Sequence, residues 1–292
     1  MSKFKEALQK GEFVITSEVG PPKGTNIEKC LEEAAMLKDK VVAFNVTDLQ
    51  SAVMRVGSMA TCRLLIERGL EPIMQMVCRD RNRLALQSDL LSAWVLGIRN
   101  VLLLTGDHTT LGDHPGAKPV FDLDSVQLLR VAQGLNEGKD MMGNELDGKT
   151  DFFMGAVVTP GAEPLEPQLI KMKKKIDAGA TFFQTQAIYE VDKFAKFMDQ
   201  ASKFNVPVLA GIVVLKSAGM ARFMNQNVAG VHVPDTLIAE MRKAKTPEAR
   251  VKTGVKIAGR LIRELKDLCQ GVHIMPLGWD KYVPDILEEA GF

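Results

Sequence analysis

The feature that most constrains this chain is a regular alternation. Eight short apolar runs, rich in β-branched and aromatic residues, are separated by longer segments with helical spacing. The runs are FVITSEV (13–19), VVAFNVT (41–47), PIMQMVC (72–78), NVLLLTGD (100–107), FFMGAVVT (152–159), TFFQTQA (181–187), VPVLAGIVV (206–214) and GVHIMPL (271–277). Each is mostly apolar on both faces of an extended chain, as a parallel strand covered by helices reads. In the segment 27–38, Ile27, Cys30, Leu31, Ala34 and Leu37 recur at helical intervals behind Asn26, a candidate cap. Segments 52–69 and 80–97 end on Gly69 and Gly97, as helix stops do. Further helical patterns cover 123–136, 165–179, 191–204, 217–227, 235–244 and 247–265. Eight strand–helix units of about 30 residues predict an α/β chain folded as a (β/α)8 TIM barrel, one domain over 1–292. A doubly wound open sheet is the alternative. The first strand lacks a GxGxxG after it, which favours the barrel.

Composition removes several classes of function. Lys and Arg total 37 against 36 Asp and Glu, a net charge of +1, so no broad nucleic-acid or anionic-membrane surface is expected. The four cysteines have no CxxC spacing, which argues against a zinc or iron–sulfur site made by this chain alone. The start MSKFKEALQKGEF has no apolar signal core, and no apolar run reaches about 18 residues. A cytoplasmic protein with reduced thiols and no membrane span is the expectation.

Chemistry in a barrel of this kind collects at the C-terminal ends of the strands. The polar residues there are Ser17 and Glu18, then Asn45, Thr47 and Asp48, then Gln75, then Thr105, Gly106 and Asp107, then Thr159, then Gln184, Thr185 and Gln186, and finally His273. Glu18 and Asp107 are the two carboxylates to explain. They read either as an acid/base pair beside a ligand or as groups satisfied by backbone donors or a buried cation. The 15-residue-scale loop 108–122, rich in Gly, Pro and His, has the length of a lid or ligand loop (long loops of roughly 12–15 residues are usually functional or disordered). Its His108 and His114 read as solvated, without a third ligand for a metal. The segment 137–150 reads as an irregular excursion, His273 as a hydrogen-bonded core histidine, Met74, Met76 and Met220 as apolar filling, and KMKKK (171–175) as a solvated helix face.

The strand-end residues also carry a resemblance. EVGPP (18–22), FNVTD (44–48), LLTGD (103–107), KKIDAGATFFQTQ (174–186) and GIVVLKS (211–217) occur in this order, and the ordered set resembles the methylenetetrahydrofolate reductase family of flavin-dependent barrels. The resemblance implies reduction of 5,10-methylenetetrahydrofolate to 5-methyltetrahydrofolate by hydride from a flavin. It implies Glu18 as the general acid that protonates N10 as the ring opens, and Asp107 as a carboxylate facing pterin and flavin. Gln186 then contacts folate. Thr47, Gly106 and Lys175 match flavin-contacting positions, with Lys175 near the phosphates, and Asp107, Gln75 and Thr105 also stand at cofactor-binding positions, Gln75 where many members have His and Thr105 where many have Arg. FAD is the implied cofactor. The short stretch between Thr159 and Gln168 leaves FMN as the alternative. The loop Ser217–Met220 lacks the aromatic on which nicotinamide stacks in family members that use NADH. It is similar to the branch found in acetogens, which implies an oligomer and an electron-donating partner, such as a zinc- or iron–sulfur-bearing subunit. The implied setting is one-carbon metabolism, in methionine biosynthesis or acetogenesis. Two competing readings are a non-flavin pterin-binding barrel and a catalytically silent assembly subunit.

Overall fold

A computed structural model describes residues 2–292. Its strands are β1 (Val14–Val19), β2 (Ala43–Val46), β3 (Pro72–Val77), β4 (Asn100–Leu104), β5 (Phe153–Val158), β6 (Phe182–Ala187), β7 (Val208–Val213) and β8 (Gly271–Met275). Each lies within one of the eight apolar runs. All pairings are parallel, the order around the sheet is the order in the chain, and β8 returns to β1 to close the barrel. The helices are α1 (Lys3–Gln9), α2 (Glu28–Ala35), α3 (Ser58–Glu67), α4 (Arg83–Val95), α5 (Ser125–Asn136), α6 (Glu166–Asp177), α7 (Val191–Ala201), α8 (Ala218–Asn227), α9 (Asp235–Lys243), α10 (Pro247–Leu265) and α11 (Val283–Ala290).

The sequence patterns differ from the structure at a few boundaries. The segment expected to be helical from residue 52 becomes α3 only at Ser58. Before it, Leu49, Ser51 and Ala52 all hold left-handed backbone, at φ of 48°, 56° and 58°, and the chain turns over the barrel mouth. Asn26 does not cap α2, whose N-cap position is Ile27 with no side-chain bond. Gly69 and Gly97 do stop their helices, with φ of 70° and 91°. The short end helices α1 and α11 lack a long enough period to stand out in the sequence.

Two apolar layers hold the barrel. One lies between sheet and helices, where residues such as Phe44, Leu103 and Phe183 meet Leu86, Phe194, Phe197 and Leu261. The other fills the lower interior of the barrel. There α1 inserts Phe4 against Phe153 and Phe182, edge-on at 5.6 and 5.0 Å, in one cluster with Ala43, Ile73, Leu102 and Leu209. Gly155 is required at this level, because a Cβ there would overlap the Phe182 ring. Higher up, the interior turns polar. Asn45 and Gln184, on strands from opposite sides of the barrel, exchange two hydrogen bonds of 2.6 and 3.0 Å. Thr16 and His273, paired in register across β1 and β8, share one of 3.0 Å. The floor of the mouth is therefore a satisfied polar layer resting on an aromatic plug.

Truncating that plug tests the layer. Phe4→Ala is expected to cost about 3–5 kcal/mol of stability, because a buried ring leaves a cavity that the strands cannot close. Denaturant unfolding measures it; a loss under about 1 kcal/mol would mean that α1 is not an integral part of the barrel.

Candidate active site

Above the polar floor lies a cavity of about 410 Å³, within the usual range for small-molecule and cofactor sites. Of the eight residues to which the family resemblance gives a role, seven line it: Glu18, Gln75, Thr105, Gly106, Asp107, Lys175 and Gln186. The eighth, Thr47, lies outside its lining. It is buried at the end of β2, and its Oγ1 has no hydrogen-bond partner among the described residues. His273 is hydrogen-bonded, as its strand position suggested, yet it also lines the cavity. Burial pushes its pKa down to about 3, so the imidazole is neutral and cannot supply a proton at physiological pH.

Two buried carboxyls line the cavity, and of these Asp48 is paired with Arg81 whereas Glu18 has no cationic partner among the described residues. Only 8 % of its surface is exposed, and its Oε1 accepts a bond of 3.2 Å from the Gln50 amide. Burial raises its pKa from 4.5 to about 7; the Gln50 bond opposes this, and the charge of Asp280 adds to it. A carboxyl poised near neutrality can hold a proton and then give it up, which is what a general acid must do. Asp107 is different. Its side chain is exposed at the rim, while its carbonyl oxygen accepts a bond of 3.1 Å from Arg79. The preceding Gly106 has φ of 91°, and a Cβ there would press within 2.9 Å of Val77, so only glycine lets the chain pass β3 so closely. Gln186 is also exposed at the rim, within the break in the register of β6 against β7 between Gln184 and Ala187. Such irregularities re-aim side chains near active sites.

Sequence reasoning missed the arginines that hold this mouth together. In RDRNR (79–83), each arginine pins a different loop. Arg79, 2 % exposed, donates to the carbonyls of Leu49 and Asp107 at 3.2 and 3.1 Å, and pairs with both oxygens of Asp80. Arg81 pairs with the buried Asp48 at 2.8 Å, and Asp48 in turn accepts from the Val77 amide at 3.0 Å. Arg83 holds Asp122, at the end of the long loop, through bonds of 2.9 and 2.8 Å. A charge run of this kind reads as a solvated helix start; only the fold reveals that Arg79 points inward.

The lysine run also divides. Lys175 is buried and donates to the Val157 carbonyl at 2.6 Å, and burial lowers its pKa to about 8, with Lys171 adding to the effect. Lys171, one turn earlier, is exposed and lines the same cavity. The loop 108–122 is tied down rather than free. Asp113 pairs with Lys23 and accepts from the Met54 amide at 3.1 Å. His108 and His114 are exposed and bond locally to Thr110 and Asp113. Among the described residues no group of three His, Cys, Asp or Glu could hold a metal ion, and no helix is long and apolar enough to cross a membrane.

The raised pKa of Glu18 carries a stability consequence. The folded state holds this proton more tightly than the unfolded chain, so its contribution is full below pH 4.5 and is lost as pH rises to about 7. The loss amounts to about 3 kcal/mol. Glu18→Gln removes the ionisation and is expected to be more stable than the unsubstituted protein at pH 8, with the difference shrinking toward pH 5. Unfolding curves at the two pH values check this; a constant difference would mean that Glu18 ionises normally.

Comparison with known proteins agrees with this architecture. A Pectobacterium carotovorum protein named 5,10-methylenetetrahydrofolate reductase is 26% identical over 266 residues, covering 87% of this chain and 82% of its own. The Salmonella typhimurium protein of the same name is 25% identical over 265 residues, with the same coverage. Arabidopsis thaliana methylenetetrahydrofolate reductase (NADH) 1 is 25% identical over 316 residues and covers all of this chain, which spans 50% of its length. Among solved structures, a Clostridium thermocellum protein described as uncharacterized and as binding two copies of 5-methyl-5,6,7,8-tetrahydrofolic acid has a TM-score of 0.65. It is 17% identical and covers 98% of this chain and 97% of its own, so the likeness is one of fold. The family model for methylenetetrahydrofolate reductase matches residues 3–291, and the chain belongs to that family.

Proposed function

We propose that this protein is an oxidoreductase that reduces 5,10-methylenetetrahydrofolate to 5-methyltetrahydrofolate, with Glu18 as the general acid. The observation that carries the reading is a carboxyl buried at the barrel mouth, with a pKa near 7, in one cavity with Asp107 and Gln186. Family membership supports the substrate class, as do the names of the bacterial relatives.

The cavity residues fit a flavin, FAD or FMN. Thr47, whose buried Oγ1 has no partner among the described residues, stands outside the cavity lining and takes no part in that fit. The Gln75 amide lines the cavity and makes no side-chain bond among the described residues, and Gly106 lies in the same wall. Thr105, whose hydroxyl accepts from the Ser125 amide at 3.3 Å, and Asp107 complete that wall. Lys175 is partly committed to the Val157 carbonyl, so the freer Lys171 shares the role of phosphate partner. When bound, the flavin supplies hydride to the one-carbon unit. The chain's own residues do the rest. Glu18 gives its proton to N10 as the bond from the one-carbon unit to N10 breaks, and that bond's electron pair stays on N10. The resulting iminium is cationic, and the carboxylate of Asp107, presented by Arg79, stabilises it. Gln186 hydrogen-bonds the pterin.

Electrons reach the site from a partner protein in this reading. Met220 packs against the core, Phe223 is 60 % exposed on α8, and neither lines the mouth cavity. Without a ring beside the flavin, nicotinamide has little to hold it flat. The purified chain is expected to bleach slowly with NADH or NADPH under anaerobic conditions; rapid, saturable bleaching by either would remove the need for a partner.

The test of the function as a whole begins with the visible spectrum of the purified protein and chromatography of the released flavin. Reduced protein is then mixed with methylenetetrahydrofolate. Flavin reoxidation with formation of methyltetrahydrofolate is expected, and Glu18→Gln is expected to slow that step 10²- to 10⁴-fold while leaving flavin binding unchanged. A protein that binds neither FAD nor FMN would overturn the reading, and a loss under about tenfold would remove Glu18 from the acid's role.

A further inference from the structure

Glu18 faces two cavities. Beside the mouth lies a second one of about 280 Å³, lined by Glu18, Gly20, Cys30, Glu33, Gln50, Arg55, Asp280 and the turn Pro276–Gly278. Among the described residues only Glu18 and Gln50 line both, so together they form the partition. Gly20, Leu277 and Gly278 are exposed, so the side cavity reaches the surface on its own. It has room for several water molecules, and its walls are polar enough to hold them. One oxygen of Glu18 is taken by Gln50, and the other has no partner among the described residues.

The reaction read for this site, on which the inference rests, consumes one proton per turnover. Glu18 delivers it to N10 and is left as a carboxylate. At that moment the mouth is filled by substrate and cofactor, and water has little access from that side. The acid therefore needs a proton from elsewhere before the next turnover. We infer that the side cavity is the proton inlet of Glu18, with Asp280 as the relay: Asp280 passes a proton through water to the Glu18 carboxylate and takes another from bulk solvent.

The surroundings of Asp280 suit such a relay. It sits in the short turn after β8, half-buried. Burial raises its pKa, and Glu33 adds to this while Lys216 and Lys29 oppose it. Charge comes from every side: Glu18 from β1, Lys29 and Glu33 with the thiol of Cys30 from α2, Arg55 from the loop before α3, and Lys216 from the loop after β7. Lys216 is held back by its bond to the Leu277 carbonyl, and Arg55 by its bond to the Pro21 carbonyl at 3.1 Å. Neither cation pairs with the Asp280 carboxylate, which leaves that group free to exchange protons.

Asp280→Asn tests this in the full protein. Folate-dependent reoxidation is expected to slow by about tenfold or more, the lower end of what proton-transfer groups contribute. Folate affinity and flavin reduction are expected to stay unchanged. Small buffer acids such as formic acid or imidazolium, able to enter the side cavity, are expected to restore the rate in proportion to their concentration. A readout independent of turnover accompanies this: losing the negative charge of Asp280 lowers the ionisation midpoint of Glu18. An unchanged rate and pH profile would overturn the relay. So would a slow variant that binds folate more weakly and ignores buffer acids, which would mark Asp280 as a binding or structural residue. If the unsubstituted protein itself shows no folate-dependent reoxidation, it is the proposed function that fails; an active parent with an unaffected variant refutes the inlet alone.

Discussion

An eight-stranded barrel has an interior just wide enough for side chains, and everything at the mouth depends on how that interior is filled. Here the filling changes character with height. Phe4, Phe153 and Phe182 pack the lower part as an aromatic cluster. Above them Asn45 and Gln184 satisfy each other across the barrel, and Thr16 satisfies one nitrogen of His273. Above this layer opens the cavity of the mouth. A carboxyl placed at that level, on β1, loses most of its water without gaining a cation, and its pKa rises accordingly. The chemistry assigned to Glu18 thus follows from packing beneath it.

The rim is held by charge rather than by apolar contact. Arg79 is buried with all its bonds directed at the loops after β2, β3 and β4, so the carbonyl of Asp107 has a fixed position while its carboxylate stays free. Taking such a guanidinium out of water is costly unless every donor is met, which makes Arg79 intolerant of conservative change. The left-handed backbone at Leu49, Ser51 and Ala52 lies in one of those same loops. Strain of that kind persists only where the surroundings enforce it, and the Arg79 bond to the Leu49 carbonyl is part of that enforcement.

The barrel was legible because its signal is global. Eight apolar runs in chain order admit few other closures, and each strand lies inside its run. Most of the site was legible for a related reason: once strand ends are known, Glu18, Gln75, Thr105, Gly106, Asp107 and Gln186 must share a mouth. What stayed hidden depends on direction in space. The RDRNR run looks the same whether an arginine faces solvent or the interior. Asp280 lies beyond the last strand, in a turn with no pattern of its own, and meets Glu18 only because β8 closes on β1. The unpaired hydroxyl of Thr47 is a property of its neighbours and has no trace in composition.

The account turns on one quantity, the ionisation of Glu18 in the folded protein. Carbon-13 NMR of the glutamate carboxyl signals, with Glu18→Gln used to assign the Glu18 resonance, reads it directly across pH 3–10. A midpoint near 7 is the result expected from burial at the mouth. A midpoint at the ordinary value of 4.5 would mean that the carboxyl is hydrated or paired, and Glu18 could not then hold the proton the reaction needs.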